Sequence, residues 1–153
     1  MNGTFYHRCI ARSRANLVDV DRRLVDLFDQ MLSVCMPDFL PVCVEGRRTD
    51  KRQAEMLRSG LSWTKRSRHQ DGRAIDVVLF RADPDSDLGF AVSYDLRDYQ
   101  VLRSRLTPYL RRHAFVWGGV WKQVDSIHWE LPPDPEPIGQ VPPEGGEGGG
   151  AKA

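Results

Sequence analysis

The chain has 153 residues, enough for one domain with a substantial core, and its 22 lysines and arginines nearly balance 21 aspartates and glutamates. That balance argues against a dedicated nucleic-acid binder, which would carry a strong basic excess. No apolar run approaches the ~20 residues of a membrane span, and residues 1–8 lack the apolar stretch of a secretory signal, so a soluble cytoplasmic chain without membrane insertion is expected.

Residues 1–15 are mixed and basic and suggest no regular element. From Asp19 or Asp21 as N-cap, Leu24, Leu27, Phe28, Met31, Leu32 and Cys35 recur at three and four, which predicts an amphipathic helix ending before Pro37. Pro41 to Glu45 reads as a short strand closed by Gly46. Thr49 caps the next helix, with Asp50 in its first turn, Ala54, Met56 and Leu57 on its apolar side, and Gly60 just past its end. A loop over 61–68 carries Trp63, and Ala74 to Phe80 reads as a buried strand followed by the polar turn Arg81 to Asp87. A third helix is predicted over Asp95 to His113, with Leu96, Tyr99, Leu102 or Arg103, Leu106 and Leu110 on its stripe and Pro108 interrupting it. Ala114 to Trp117 and Ile127 to Leu131 are the last strands, with a tight turn at Gly118-Gly119.

Helices early and late around a few short strands give an α+β domain, a small, mostly antiparallel sheet with flanking helices, over residues 1–131. Residues 132–153 are rich in Pro, Gly and Glu, cannot bury a core, and are expected to be a disordered tail. Cys9, Cys35 and Cys43 cannot all pair, and the latter two, among apolar neighbours, read as small core residues.

The chemistry concentrates in two segments, Ser67-Arg68-His69-Gln70-Asp71-Gly72-Arg73-Ala74-Ile75-Asp76 and Asp125-Ser126-Ile127-His128-Trp129-Glu130. A carboxylate at Asp76, inside an apolar strand, is costly to bury without compensation, which a neighbouring arginine or a divalent metal would supply. His69, Asp76 and His128 make a three-ligand set that suits zinc and leaves one position open for a water. Asp125 and Glu130 are the two candidates for a general base, since a strand places His128 and Glu130 on one face. Arg48 reads either as a group that holds a substrate carboxylate or an oxyanion, or as half of a structural ion pair. Ser67 and Trp117 are expected to shape a cleft, and Trp121 to join the core. The basic run from Arg47 to Arg73 reads as a solvated face, or as a surface that steers the protein to an anionic polymer.

The full pattern resembles the M15 family of zinc peptidases (VanY-like, D-alanyl-D-alanine carboxypeptidases), and in particular its phage endolysins that act as L-alanyl-D-glutamate peptidases. Ser67-x-His69-x-x-Gly72-x-Ala74-x-Asp76 is similar to the family's first metal motif. Trp117-Gly118-Gly119-x-Trp121 with Asp125-x-x-His128-Trp129-Glu130-Leu131 is similar to its second, and Glu45-Gly46-Arg47-Arg48-Thr49 with Gln53 and Gly60 to an upstream segment. The matches run in family order over about residues 42–131; Val120 stands where the family often has Asp. The resemblance implies a hedgehog/DD-peptidase-like fold, zinc on His69, Asp76 and His128, and Asp125 as general base ahead of Glu130. It also implies a monomer acting on the peptidoglycan stem peptide, at the L-Ala–D-Glu bond, after holin-dependent release from the host cytoplasm. Two other readings stand beside it: a D,D-carboxypeptidase or dipeptidase of wall metabolism, and an inert zinc-binding module on the same scaffold.

Overall fold

The computed structural model describes residues 3–135; most of the expected tail, from residue 136 on, lies outside the described residues. Where the sequence suggests no element, the chain begins with helix α1 (Gly3–Asn16). Its attachment explains the weak signal. Ser13 Oγ donates to Cys9 O and accepts from Cys43 N, and Asn16 Nδ2 donates to Cys43 O at 2.9 Å. The helix therefore docks partly through polar bonds to a strand edge, and Phe5, Tyr6 and Ile10 supply a modest apolar contact with Leu40, Val42 and Phe90.

Helix α2 (Arg22–Cys35) follows the expected periodicity: Asp21 caps it by accepting from Arg23 N, and Leu24, Leu27, Phe28, Met31 and Cys35 are buried. Strand β1 (Phe39–Glu45) leads to helix α3 (Asp50–Arg58), capped by Thr49 Oγ1, which accepts from Arg52 N at 3.1 Å. The expected apolar side of α3 is not what it buries. Ala54 is exposed and Met56 and Leu57 half-buried, whereas Gln53 is the buried residue. This helix borders a cleft rather than covering the core.

Strand β2 (Ala74–Ala82) is joined through the acidic turn to β3 (Phe90–Ser93), a strand in a stretch to which the sequence reading assigned no element. The third helix is split as Pro108 requires, into α4 (Leu96–Arg105) and α5 (Thr107–Leu110), with Pro108 in the first turn of α5. Strands β4 (Val116–Trp117) and β5 (His128–Glu130) are shorter than predicted. Every pairing in the sheet is antiparallel, in the order β1-β2-β5-β4, with β3 beside the far end of β2.

Alternation along β2 decides what each face does. Ile75, Val77 and Leu79 face the main core with residues of α2 and α4. On the other face, α1 closes over Leu40, Val42 and Phe80, and the opposite end of that face, at Asp76, opens into the cleft. Among the described residues, no helix is long and apolar enough to cross a membrane. Cys9, Cys35 and Cys43 are free and buried; burial pushes the Cys35 and Cys43 thiols up to about 12.

Candidate active site

Three strands set one row of side chains across the open end of the sheet. Asp76 pairs with Glu45 on one side and with His128 on the other. The register of β1 shifts between Cys43 and Glu45, and this irregularity brings Glu45 level with Asp76. Directly opposed residues lie ~5 Å apart in a sheet, so the row is compact before any side chain is considered.

His69 arrives from outside the sheet on a 3-10 turn, Arg68–Asp71. Ser67 caps it: its hydroxyl accepts from His69 N, and its own N–H donates to Gln70 Oε1 at 2.7 Å. The turn ends at Gly72 with φ 68°, and a Cβ there would lie 2.5 Å from Asp19 O, so both the backbone angle and the space demand glycine. Arg48 N donates to His69 O at 2.9 Å, tying the turn to the β1–α3 connection.

The His69 ring is 2% exposed, and its Nδ1 lies 2.8 Å from Gly46 O. A ring donating from Nδ1 to that carbonyl presents the Nε2 lone pair to Asp76 Oδ1, 3.2 Å away. His128 approaches the same oxygen from the other side, Nδ1 to Oδ1 at 3.1 Å. Its far nitrogen, Nε2, lies 2.9 Å from Glu130 Oε2. The two imidazoles meet edge to face with centroids 5.1 Å apart, and one donor atom from each of His69, Asp76 and His128 falls within 4.8 Å of the others.

The charges are balanced tightly. Burial opposes a proton on His128, but Asp76 and Glu130 outweigh it and lift the imidazole to about 9. Burial likewise opposes charge on Asp76, yet the two imidazoles hold its carboxyl well below the usual range. Two imidazole nitrogens and an anionic oxygen thus converge on one point. That donor set fits a borderline divalent ion such as zinc.

Asp125 stands outside this triangle, at the cleft wall. Burial, then the nearby Asp76, raises its carboxyl pKa. The Trp-Gly-Gly segment explains how it gets there. Gly118 O accepts from Trp121 N and from Asp125 N, the latter at 3.0 Å, and His128 N donates to Asp125 O. A Cβ on Gly118 would sit 2.4 Å from Asp125 O, and one on Gly119 would strike the Trp117 ring at 2.1 Å. The glycines let the chain fold back on itself and deliver Asp125 just ahead of β5.

The two tryptophans are distributed the other way round from the sequence reading. Trp117, expected to shape the cleft, is buried in the core, stacked on Trp129 at 5.8 Å and donating from Nε1 to Ser126 O. Trp121, expected in the core, is half-buried in the cleft wall, its ring 5.1 Å from that of His128. Two-residue β4 ends at Trp117, and the following 3-10 turn reverses the chain, so strand alternation cannot be extended to Trp121.

The remaining candidates are placed as follows. Ser67 lines the cleft. Arg48 also lines it but is 7% exposed and held on three sides: Nε and Nη2 donate to the Glu45 carboxylate at 2.6 Å, and Nη1 to Gln53 Oε1 at 2.7 Å. Gln53 passes the bond on to Thr64 O, which fixes the loop bearing Trp63. Glu45 and Gln53 were legible only as family motif positions; their carboxylate and amide, three before and five after Arg48, are the signal for this clasp. The basic run is not one continuous surface: Arg48 is spent on Glu45, Arg66 on Asp71, and Arg73 on Asp134. The cleft between these walls encloses about 350 Å³.

A family profile described as D-alanyl-D-alanine carboxypeptidase, of the M15 peptidases, matches residues 61–131. Among solved structures, the L-Ala D-Glu endopeptidase ChiX of Serratia marcescens is similar, with 33% identity and a TM-score of 0.66 over 80% of this chain and 87% of that one. Comparison with curated protein sequences gives no match.

Proposed function

The chain belongs to the M15 family of metallopeptidases, and from that premise we propose that it is a zinc-dependent peptidoglycan peptidase cutting the L-Ala–D-Glu amide of the stem peptide. The observation that carries the reading is the convergence of His69, Asp76 and His128 within 4.8 Å at the floor of a cleft that is also lined by the carboxyl of Asp125. His69, Asp76 and His128 are the residues that would hold the ion.

Zinc so held supplies Lewis acidity, lowering the pKa of a water toward 7 and polarising the scissile carbonyl. Asp125 accepts the proton from the attacking water and returns it to the departing amine. Its raised pKa suits both halves of that task, because a base that must later act as an acid should not be too weakly basic. Glu130 is occupied at the outer nitrogen of His128, where it orients the ring and strengthens its donor character. Arg48, neutralised by Glu45 and clasped by Gln53, holds the β1–α3 connection and the Trp63 loop in register with the metal ligands. Trp121 and Trp63 both line the cleft and offer it apolar surface.

Cutting next to the first residue of the stem frees the cross-linked peptide from its glycan, which is the chemistry of a lytic agent, and an endolysin role rests on that. The profile description favours one second reading, release of terminal D-alanine by a D,D-carboxypeptidase. Digestion of purified peptidoglycan, with and without chelator, separates the two. New D-glutamate N-termini that vanish with chelator support the endopeptidase; free D-alanine without new glutamate amines supports the carboxypeptidase.

A further inference from the structure

We propose that Arg68 is the substrate-reading cation of this cleft, pairing with the free carboxylate of the glutamate on the leaving side of the scissile bond; the inference rests on the Ala–Glu reading above. Three arginines line the cleft, and two are already committed, Arg48 to Glu45 and Arg66 to Asp71. Arg68 is half-buried there, and its guanidinium has no hydrogen bond or ion pair among the described residues. Its backbone is fixed: it opens the same capped turn that presents His69, and its carbonyl accepts from Arg73 N at 3.0 Å. A partly desolvated cation with no counter-ion among the described residues, held one residue from a proposed metal ligand, is a group available for binding.

The substrate supplies the missing partner. A glutamate whose amine forms the scissile amide has two carboxyls; the peptide continues through one and the other stays ionised, within a residue of the reacting bond. Four carboxylates, Glu45, Asp76, Asp125 and Glu130, also line the cleft, and with Arg48 and Arg66 already paired, Arg68 is the lining arginine left to meet that carboxylate. A planar guanidinium takes a carboxylate through two parallel hydrogen bonds, fixing direction as well as charge. Arg68 would thus set which way the peptide lies across His69, and would favour glutamate over its carboxamide counterpart.

The test compares two soluble stem peptides that differ only in whether the free glutamate carboxyl is a carboxylate or a carboxamide. With the zinc-loaded full chain, kcat/KM should favour the carboxylate peptide by roughly ten- to a hundredfold, the span of one charge-assisted hydrogen-bonded contact. Arg68→Gln should bring the two within about threefold, with the loss concentrated on the carboxylate peptide, while Arg68→Lys should recover part of the preference. Arg66→Gln should keep the full preference. Dissociation constants of the two released glutamyl products, measured calorimetrically, should follow the same order. A preference that survives Arg68→Gln, an equal fall on both peptides, or no preference in the wild type would overturn the assignment. Failure of the wild type to cut either peptide would remove the Ala–Glu reading itself, and the assignment with it.

Discussion

Replacing Glu130 and Asp125 one at a time by their amides separates the ion's support from the proton's carrier. Glu130 Oε2 lies 2.9 Å from Nε2 of His128, on the side of the ring away from Asp76. Glu130→Gln keeps the shape and can still accept through its carbonyl, but it loses the charge in that bond, worth about 1.5–3 kcal/mol. Zinc affinity should fall about 10- to 100-fold, as for other outer carboxylates behind a ligating imidazole. At saturating zinc, much of the turnover should return. Asp125→Asn removes none of the three donor side chains. It should bind zinc at full stoichiometry with near-normal affinity, yet lose about 10²–10⁴-fold in kcat because an amide cannot take the proton. Competition with a chromophoric chelator gives the affinities, and peptide hydrolysis at saturating zinc gives kcat. A Glu130→Gln protein that binds zinc normally and is inactive, beside an active Asp125→Asn protein, would refute this division and make Glu130 the base.

Gly118→Ala places a Cβ 2.4 Å from Asp125 O, so the turn must shift; about 1–3 kcal/mol of stability should be lost, read by urea denaturation, and activity should drop with it because Asp125 moves. Wild-type stability and rate in that variant would refute the close approach. Cys35 and Cys43, with thiols pushed up to about 12 by burial, should react with a disulfide reagent at pH 8 at least about a thousandfold more slowly in the native protein than in urea. Rapid labelling of both under native conditions would show that the core opens locally. A chain shortened to end at Asp134 keeps the Arg73 contacts to Pro132 O and Asp134, and should melt within about 2 °C of the full chain, since the removed segment is too polar to build a core. A fall of many degrees would show that the removed residues pack on the domain.

Where local pattern and tertiary need agree, the elements were legible in the sequence. The stripe of α2, the Thr49 cap, the break at Pro108 and the apolar run of β2 each record a single-element requirement, met by spacing or by a backbone constraint. The candidate site was legible for a different reason. A histidine, a turn glycine and a buried strand aspartate within eight residues leave few ways to satisfy Asp76, and the second segment carries the matching imidazole.

What the sequence by itself determined is therefore the kind of elements and the donor set. Only the tertiary structure decided where each of those donors stands and what it touches. Helix α1 carries only a short apolar stripe, Phe5, Tyr6, Cys9 and Ile10, and escaped notice because its last turn is held by hydrogen bonds of Ser13 and Asn16 to the edge of β1 instead. Trp117 and Trp121 exchanged places because only the packing of the expected turn decides that one ring stacks on Trp129 and the other meets His128. Glu130 and Asp125 are both within five residues of His128 in sequence, and only packing distinguishes them: one faces the outer ring nitrogen, the other is carried to the cleft wall by a turn folded on Gly118. Arg48 and Arg68 are likewise equal as cations in the sequence. The fold buries one against Glu45 and leaves the other without a partner among the described residues, because charge pairing depends on tertiary distances that no local spacing records.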